Sequence, residues 1–248
     1  MPVLTVNADT VTQRQAPKGV PRHVAIIMDG NRRWAMKQGL KIFSGHKAGV
    51  EALHNVVLAA DAAGIEALTV YAFSTENWNR SPEEVEGIMA LFISTIEAEL
   101  PMLIERNASL KFIGDIAAVT PKLQERVALA ESKTAAMTGL RFQVALNYGG
   151  QAELVKACQT LAQQVQAGEL SPESITAEHL ESQLYTRGLP PVDFVIRTGG
   201  DYRLSNFLLW QCAYAEWLVL DTLWPEFTPT IFADALAQFK QRARRFGQ

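Results

Sequence analysis

The segment 26–34 places a carboxylate, a glycine and two arginines directly after an apolar run. The Asp29 carboxylate could hold a divalent cation, and Gly30 lets backbone approach a ligand closely. Arg32 and Arg33 carry planar N–H donors that suit phosphate oxygens. An Asp-Gly turn with a solvated basic face explains the same residues equally well. The segment alone therefore leaves a metal and phosphate site and an ordinary turn as equal alternatives.

A second polar segment, residues 72–80, again follows an apolar run and comes just before a helix start signal. Ser74, Thr75 and Asn77 are common turn residues, and Trp78 could belong to the core. One turn needs fewer polar and aromatic side chains than this segment contains. A binding role is therefore the stronger interpretation.

A third segment, residues 195–206, contains two consecutive glycines among basic side chains. Gly199–Gly200 can shape a nest of backbone N–H groups, with Arg197, Arg203 and Ser205 around it. A glycine turn with surface arginines is the alternative. It is the weaker one because Arg197 ends a run that otherwise predicts a buried strand. The segment fits a diphosphate.

The sequence has none of the usual nucleotide-binding loops, neither GxxxxGK[ST] nor GxGxxG, and no DDxxD-like carboxylate cluster. His46 lies at a predicted helix start close to the first segment. It could carry a proton or donate to phosphate, or it could be an ordinary solvated histidine, and the two readings are equally good.

Short runs rich in Val, Ile and Phe alternate with helical patterns of ten residues or more, which indicates βαβ units. The pattern predicts an α/β fold with a single, mostly parallel, six-stranded sheet flanked by helices. Ligands of such sheets bind beyond the carboxyl ends of the strands, so the three polar segments should meet there. The predicted strands are residues 23–29, 67–74, 109–115, 140–148, 192–198 and 217–221.

Hydroxyl residues directly before prolines mark several predicted helix starts. They are Thr120, Ser171 and Thr228, while Ser81 begins a capping box that ends at Glu84. The helix predicted over residues 83–106 is apolar around much of its circumference, so it contacts apolar groups on more than one side. A central packing helix explains this pattern without any ligand.

Composition favours one intracellular domain. The chain has 248 residues, a net charge of -3 and two cysteines, so it has neither a bulk positive field for nucleic acid or anionic membranes nor a disulfide framework. Residues 1–20 lack an apolar core of signal-peptide length, and we expect a flexible start before a domain over residues 21–248. Charged residues interrupt the apolar stretch 207–224, which predicts core and not a membrane span. We expect a cytoplasmic protein.

Six segments, taken in order, resemble the cis-prenyltransferases, and most closely their bacterial long-chain members. They are MDGNRRWA (28–35), SGHKAG (44–49), YAFSTENWNRS (71–81), NYGG (147–150), VIRTGGDYRLSNFLLWQ (195–211) and YAEWLVLDTLWPEF (214–227). The resemblance runs from about residue 21 to residue 246. It implies the cis-prenyltransferase fold, in which an apolar tunnel holds the product.

The activity implied by the resemblance is sequential addition of isopentenyl diphosphate to farnesyl diphosphate with cis geometry. The long-chain polyprenyl diphosphate formed would be the precursor of a lipid carrier for cell-wall polysaccharide. The resemblance also implies Mg2+ as cofactor, a homodimer, and transient membrane contact for product release.

The resemblance assigns the metal to Asp29 and Glu216, and catalytic roles to Asp29 and to Asn77, which would assist proton removal together with Ser74. One face of the 83–106 helix would line the tunnel, and Leu140 would help to close its far end. Residues that would contact the substrates are Gly30, Asn31, Arg32, Arg33, Trp34 and His46 at the allylic diphosphate, Thr75, Glu76, Trp78 and Arg80 between the substrates, and Arg197, Arg203, Leu204 and Ser205 at isopentenyl diphosphate.

Two positions depart from the family pattern. Arg32 stands where many bacterial members have glycine, which adds a cation and removes backbone freedom. Ile42 stands where the family usually has an arginine that contacts diphosphate, and Lys41 is the nearest cation that could replace it. A short-chain cis-prenyltransferase, or a non-catalytic partner subunit of the same fold, are the alternative functions.

Overall fold

The computed structural model describes residues 14–242 of the chain. Most of the predicted flexible segment 1–20 thus lies outside the described residues. Its described part contacts the rest of the protein, because the Ala16 N–H donates to the Glu66 carboxylate at 3.0 Å and Arg14 pairs with Asp61.

All six predicted strands form, and they make one fully parallel sheet. Its strand order is β3-β4-β2-β1-β5-β6. The strands are β1 His23–Ile27, β2 Ala67–Ser74, β3 Ser109–Ile113, β4 Arg141–Tyr148, β5 Phe194–Arg197 and β6 Glu216–Val219. The strands that precede the three polar segments, β2, β1 and β5, are therefore neighbours.

The described residues form seven helices around this sheet. They are α1 Asn31–Lys37, α2 Ile42–Ala62, α3 Pro82–Glu105, α4 Pro121–Thr134, α5 Gly150–Gln166, α6 Ala177–Gln183 and α7 Pro229–Gln241. Alternate residues of β1 enter opposite core clusters: Val24 and Ile26 join the larger one, which includes α2 and α3, whereas Ala25 and Ile27 join the smaller one. Because successive side chains of a strand point to opposite faces of the sheet, β1 is buried on both faces.

The capping signals were partly right. Ser81 accepts from the Glu84 N–H, and Thr228 caps α7 in the same way. The predicted capping box is only half formed, because the Glu84 carboxylate pairs with Arg80 and His46 and makes no bond back to the Ser81 backbone. Thr120 precedes α4, but its side chain makes no capping bond. The helix start predicted at Ser171 was wrong, because only a three-residue 3-10 turn follows it and α6 begins after Thr176, whose hydroxyl caps it.

Within residues 14–242, α3 is the one helix that is long and apolar enough to cross a membrane by length and composition alone. A helix that packs inside a globular domain passes the same test. Here α3 packs on α2, α4 and β3, and Val85, Ile88 and Met89 are buried. We therefore treat α3 as part of the domain.

Candidate active site

The three polar segments lie at one edge of the sheet. Ile27 of β1 is in register with Tyr71 of β2 and with Arg197 of β5. β1 and β5 end at this level, whereas β2 continues to Ser74. A cleft of about 920 Å³ opens at this edge. The predicted site residues that line it are Asp29, Gly30, Asn31, Arg32, Arg33, His46, Ser74, Glu76, Asn77, Arg80, Arg197, Arg203 and Ser205.

Asp29 lies between two arginines from different segments. Arg197 donates to its carboxylate at 2.8 Å, and the Arg33 guanidinium lies 3.2 Å from the other carboxylate oxygen. Burial alone would raise the pKa of Asp29, but the hydrogen bond from Arg197 and the positive charges of Arg33 and Arg197 outweigh it, so the net pKa is lowered. Asp29 is therefore an ionised carboxylate at neutral pH.

Arg197 organises the third segment. Its guanidinium, only 3% exposed, donates to the Ser205 hydroxyl at 2.8 Å and to the Arg203 carbonyl. Its Nε is buried and has no partner in the described part of the chain. Ser205 itself has a φ of +50°, in the left-handed region that costs non-glycine residues energy. The strained backbone thus directs the Ser205 hydroxyl toward the buried Arg197 guanidinium.

Gly199 allows the first and third segments to touch. It has a φ of +87°, and a Cβ placed there would lie 2.4 Å from the Arg33 guanidinium. Arg33 donates to the Gly199 carbonyl at 2.6 Å. The turn therefore requires glycine because of its positive φ, and a Cβ would also displace the Arg33 guanidinium.

Asp201 was missed by the reasoning from sequence. Its carboxylate pairs with Arg203 at 2.8 Å and approaches Arg33 at 3.5 Å and Arg197 at 3.8 Å. Asp201 lies four residues after Arg197 in the glycine loop, and this spacing could have indicated an ion pair between them. With Asp29, Asp201 gives these three arginines two carboxylate partners, which leaves an excess of positive charge for an anion.

The second segment forms a 3-10 turn, Thr75–Asn79, after β2. The Asn77 side-chain oxygen accepts from the Ser74 N–H at 3.2 Å, which fixes its orientation within the cleft. Trp78 faces away and donates from its indole N–H to Asn147 at 2.8 Å. Asn206, also missed from sequence, donates to Glu76 at 3.1 Å and so ties this turn to the third segment.

Glu84, at the start of α3, gathers basic groups from three elements. Its carboxylate lies 3.2 Å from His46, 3.0 Å from Arg80 and 3.9 Å from Arg32. The sequence predicted only a capping role for Glu84, because His46 and Arg32 reach its carboxylate through helix packing and only Arg80 is a near neighbour along the chain. Burial lowers the pKa of His46, and the hydrogen bond with Glu84 offsets only part of this, so the ring is neutral at pH 7. His46 is thus enclosed, and its reading as a solvated histidine was wrong.

Five predicted site residues do not line the cleft. Trp34, Thr75 and Trp78 lie beside it, and Leu204 packs into the smaller core cluster. Glu216 begins β6 instead of following a strand, so it lies at the opposite edge of the sheet from Asp29, roughly 16 Å away along the strand direction. Its carboxylate pairs with Arg242 at 3.1 Å. A single chain therefore does not bring Asp29 and Glu216 to one ion.

Of the two departures from the family pattern, Arg32 lines the cleft and Ile42 does not. Arg32 points toward Glu84, whereas Ile42 opens α2 and Lys41 precedes it on the exposed surface. Lys41 does not line the cleft. The structure thus gives no support to Lys41 as a replacement for the missing arginine.

An apolar cavity of about 130 Å³ lies between α2, α3 and the sheet. Asn31 and His46 line both this cavity and the cleft, so the two spaces adjoin. The buried side-chain oxygen of Asn31 has no hydrogen-bond partner within residues 14–242. Leu140 is fully buried in the same core cluster but does not line the cavity. A tunnel closed by Leu140 thus stays a prediction.

Residues 27–247 match the family model described as "Putative undecaprenyl diphosphate synthase". The chain belongs to this family of cis-prenyltransferases. Two relatives are ditrans,polycis-undecaprenyl-diphosphate synthases described as (2E,6E)-farnesyl-diphosphate specific. The one from Shewanella oneidensis is 46% identical over 97% of this chain and 90% of its own length, and the one from Pseudomonas putida is 50% identical over 96% and 94%.

Solved structures have the same cis-prenyltransferase fold. Lavandulyl diphosphate synthase from Lavandula x intermedia, in complex with dimethylallyl diphosphate, superposes with a TM-score of 0.91 at 34% identity over 94% of this chain and all of that one. A probable undecaprenyl diphosphate synthase from Campylobacter jejuni gives 0.76 at 31% identity, over 92% and 99%.

Proposed function

We propose that this chain is an undecaprenyl diphosphate synthase, which adds isopentenyl diphosphate repeatedly to farnesyl diphosphate with cis geometry. The product would be the precursor of the lipid carrier for cell-wall polysaccharide. The observation that carries the proposal is the Asp29–Arg197 pair, because it joins two anion-binding segments in one cleft next to an apolar cavity. The curated relatives that cover nearly the whole chain support the same reaction.

Two diphosphates need two sets of donors. Arg197, Arg203 and Ser205 would seat isopentenyl diphosphate, since the Arg197 guanidinium already bonds the Ser205 hydroxyl. The allylic diphosphate would lie on the first segment, where Arg33 is held by Asp29 and the backbone of Gly199. Its remaining contacts would be Gly30, Asn31, Arg32, Trp34 and His46.

Proton removal is assigned to the second segment. An amide is a poor base, so Asn77 would orient the reacting group while a diphosphate oxygen or a water takes the proton. Its side-chain oxygen is fixed by the Ser74 N–H, which leaves the amide N–H groups to face the cleft. Glu76 and Arg80 line the same cleft and would position the substrates, with Thr75 and Trp78 supporting the turn.

Asp29 fits a magnesium ion. Its carboxylate oxygens are hard ligands, and within residues 14–242 no group of three or more His, Cys, Asp or Glu side chains could hold an ion without help. Mg2+ commonly binds through one carboxylate plus substrate phosphates and water, so Asp29 suffices on the protein side. When bound, the ion would neutralise the leaving diphosphate. Glu216 would reach the same ion only from a second copy, in keeping with the predicted homodimer.

The adjoining cavity would keep water from the carbocation-like centre that forms when the allylic diphosphate leaves. Neutral His46 and Asn31 stand at the junction between the cleft and the cavity. The growing hydrocarbon would enter between α2 and α3. We place the reaction in the cytoplasm, with the domain over residues 21–248 as the catalytic unit.

A short-chain cis-prenyltransferase is the second candidate, because a lavandulyl diphosphate synthase superposes on this chain with a TM-score of 0.91. An apolar cavity of about 150 Å³ holds one benzene molecule, so a space of 130 Å³ must widen before it accepts even a farnesyl chain. A structure of a diphosphate synthase complexed with dimethylallyl diphosphate shares the fold closely. Product length separates the two candidates.

The test incubates the purified protein with farnesyl diphosphate, labelled isopentenyl diphosphate and Mg2+, and sizes the extracted lipid. We expect labelled long-chain product, none of which forms without Mg2+. Products with one or a few added units would support the short-chain candidate. Absence of any incorporation would leave the non-catalytic partner subunit as the better interpretation.

A further inference from the structure

The turn between α1 and α2 is unusually basic. The segment 32–50 contains Arg32, Arg33, Lys37, Lys41 and Lys47 and has no Asp or Glu, whereas the whole chain carries a net charge of -3. Arg32 and Arg33 point to Glu84 and Asp29 in the cleft. The three lysines are exposed, and in the described part of the chain none lies within salt-bridge distance of a carboxylate. These lysines give the turn a local positive charge, and none of them lines the cleft.

Large apolar side chains alternate with these lysines. Met36 is 71% exposed, Leu40 48% and Phe43 39%. A single exposed apolar residue is ordinary on a soluble protein, but three within eight residues form a patch. The Lys47 ammonium lies 5.2 Å from the centre of the Phe43 ring, so charge and apolar surface are in direct contact.

The position of the turn relates it to the cleft. Met36 lines the cleft, while Phe43 lies close to Gly87 on α3, whose inner face borders the cavity. Acidic residues are near as well, since Glu83 and Glu86 are exposed in the first turns of α3. They lie on α3, beyond Phe43, and do not pair with the lysines.

We propose that the surface formed by Met36, Lys37, Leu40, Lys41 and Phe43, called here the turn surface, docks on anionic lipid membranes. Apolar side chains interleaved with lysines suit the headgroup boundary, where apolar groups enter and ammonium groups meet lipid phosphates. Docking would bring the mouth of the cavity to the bilayer. The purpose of docking, release of a polyprenyl product into lipid, rests on the proposed function, whereas lipid binding itself does not.

The experiment measures co-sedimentation of the purified full-length chain with vesicles, in the absence of substrates. One set of vesicles is phosphatidylcholine alone and the other adds phosphatidylglycerol. We expect binding to the anionic vesicles that weakens as salt is raised, because exposed charges are screened. The double variant Lys37→Gln/Lys41→Gln should bind about 25-fold more weakly, at about fivefold for each lysine near an anionic surface.

The apolar part is tested by Met36→Ser/Leu40→Ser, which should also lose vesicle binding. Leu129→Ser/Val155→Ser is the matched control, because Leu129 and Val155 are exposed apolar residues outside the turn surface. That control should bind vesicles like the unchanged chain. Equal binding by the turn variants and the unchanged chain, or no preference for anionic vesicles, would overturn the proposal.

Light scattering separates membrane docking from self-association. If Met36→Ser/Leu40→Ser lowers the mass of the protein in solution, the turn surface is a contact between copies and the membrane proposal fails. An unchanged mass together with lost vesicle binding supports it. An assay of prenyl transfer in detergent is scored separately, so failure of the enzymatic proposal leaves the vesicle result intact.

Discussion

Arg197 donates a 2.8 Å hydrogen bond to the Asp29 carboxylate and so links the ends of β5 and β1. A buried guanidinium needs a counter-ion, and Asp29 supplies it. The same carboxylate faces a cleft in which Arg33 and Arg203 also lie. Asp29 thus holds Arg33 and Arg197 in place before any ligand arrives, and its oxygens lie at the position where a cation and two diphosphates would meet.

We predict that Asp29→Asn lowers kcat by about 100-fold or more, because the amide loses the charge that the site needs. It can still accept from Arg197, which keeps its bonds to Ser205 and the Arg203 carbonyl. Because Arg197 is buried and would keep only Asp201, at 3.8 Å, as a carboxylate partner, the free energy of unfolding should fall by about 3–5 kcal/mol. Steady-state kinetics and denaturant unfolding check the two effects.

Asp61→Asn is the matched control for Asp29→Asn. Asp61 also pairs with an arginine, Arg14, but it lies in α2 away from the cleft. It should leave kcat near that of the unchanged enzyme. If Asp29→Asn keeps near-normal turnover, the assignment of Asp29 to the metal and the diphosphates is wrong.

Gly45→Ala should destabilise the protein although alanine normally favours a helix by about 1 kcal/mol. Gly45 lies within α2, where a Cβ would be 2.1 Å from the Asn31 carbonyl oxygen of α1. The helices would have to separate, at a cost of about 1–3 kcal/mol, and Asn31 would move in the cleft. Thermal unfolding and the KM for the allylic substrate report the two consequences.

Gly87→Ala provides the comparison for Gly45→Ala. Gly87 is also inside a helix, α3, but a Cβ there would meet the Phe43 ring at an ordinary 3.4 Å. This variant should be neutral or slightly stabilised. A similar loss of stability in both variants would mean that the α1–α2 contact at Gly45 is not the cause.

The sequence predicted the site best where residues directly follow buried strands. Asp29 and Arg197 could be placed together because parallel strands bring their carboxyl ends to one edge. Glu216 was assigned to the metal only through the family resemblance, and the predicted strand 217–221 already put it before a strand and not after one. The structure has it at the first position of β6. Glu84 was predicted only as a capping residue, because His46 and Arg32 reach it from other helices and no local pattern encodes that packing. Asn206 was missed because its partner Glu76 lies in another segment.

We predict that stability falls between about pH 6.5 and pH 4 because of His23. Its ring is fully buried between the Pro190 carbonyl and the Thr69 hydroxyl, and burial lowers its pKa to about 4. In this range the unfolded chain binds a proton on His23 that the folded chain does not. The contribution of neutral His23 to the free energy of unfolding is therefore fully present above pH 6.5 and is lost as the pH falls toward 4. The difference between the His23 pKa in the unfolded chain and in the folded chain corresponds to about 3 kcal/mol of stability.

Urea unfolding at several pH values tests this, with His23→Gln as the comparison. Asp193 and Arg141 also act on the ring, in opposite directions. His23→Gln should be less stable at pH 7 but should show a flatter pH dependence. His46 has a lowered pKa as well and adds to the same slope, so some slope should remain. An unchanged slope in His23→Gln would contradict the assignment.

Leu140→Ala tests the predicted far end of the tunnel. Leu140 is fully buried just before β4, next to the cluster that contains Leu103 and Leu110 of the cavity wall. Removing its side chain should let the product grow longer, as measured by sizing the extracted lipid. Leu123→Ala, equally buried in α4 but outside the cavity wall, should lose stability without changing product length. Unchanged product length in both variants would argue against Leu140 as the residue that closes the far end of the tunnel.

His54 and Glu99 join the two helices that must separate for a longer chain to enter. His54 Nδ1 of α2 lies 2.6 Å from the Glu99 carboxylate of α3, and both side chains line the apolar cavity. Since the cavity of 130 Å³ has to widen, this contact opposes growth of the hydrocarbon. Glu99→Ala should therefore shift the products toward longer chains, by about two- to fivefold in their ratio, as expected for a partly exposed polar pair.

Glu97→Ala is the matched control, because Glu97 lies two residues earlier in α3 but pairs with Arg126 at 2.7 Å outside the cavity. It should lose a similar surface contact and leave product length unchanged. His54→Ala should reproduce the effect of Glu99→Ala, and the double variant should add little, since both remove one contact. Equal shifts in Glu97→Ala and Glu99→Ala would mean that general loosening of α3, and not the contact across the cavity, sets the length of the product.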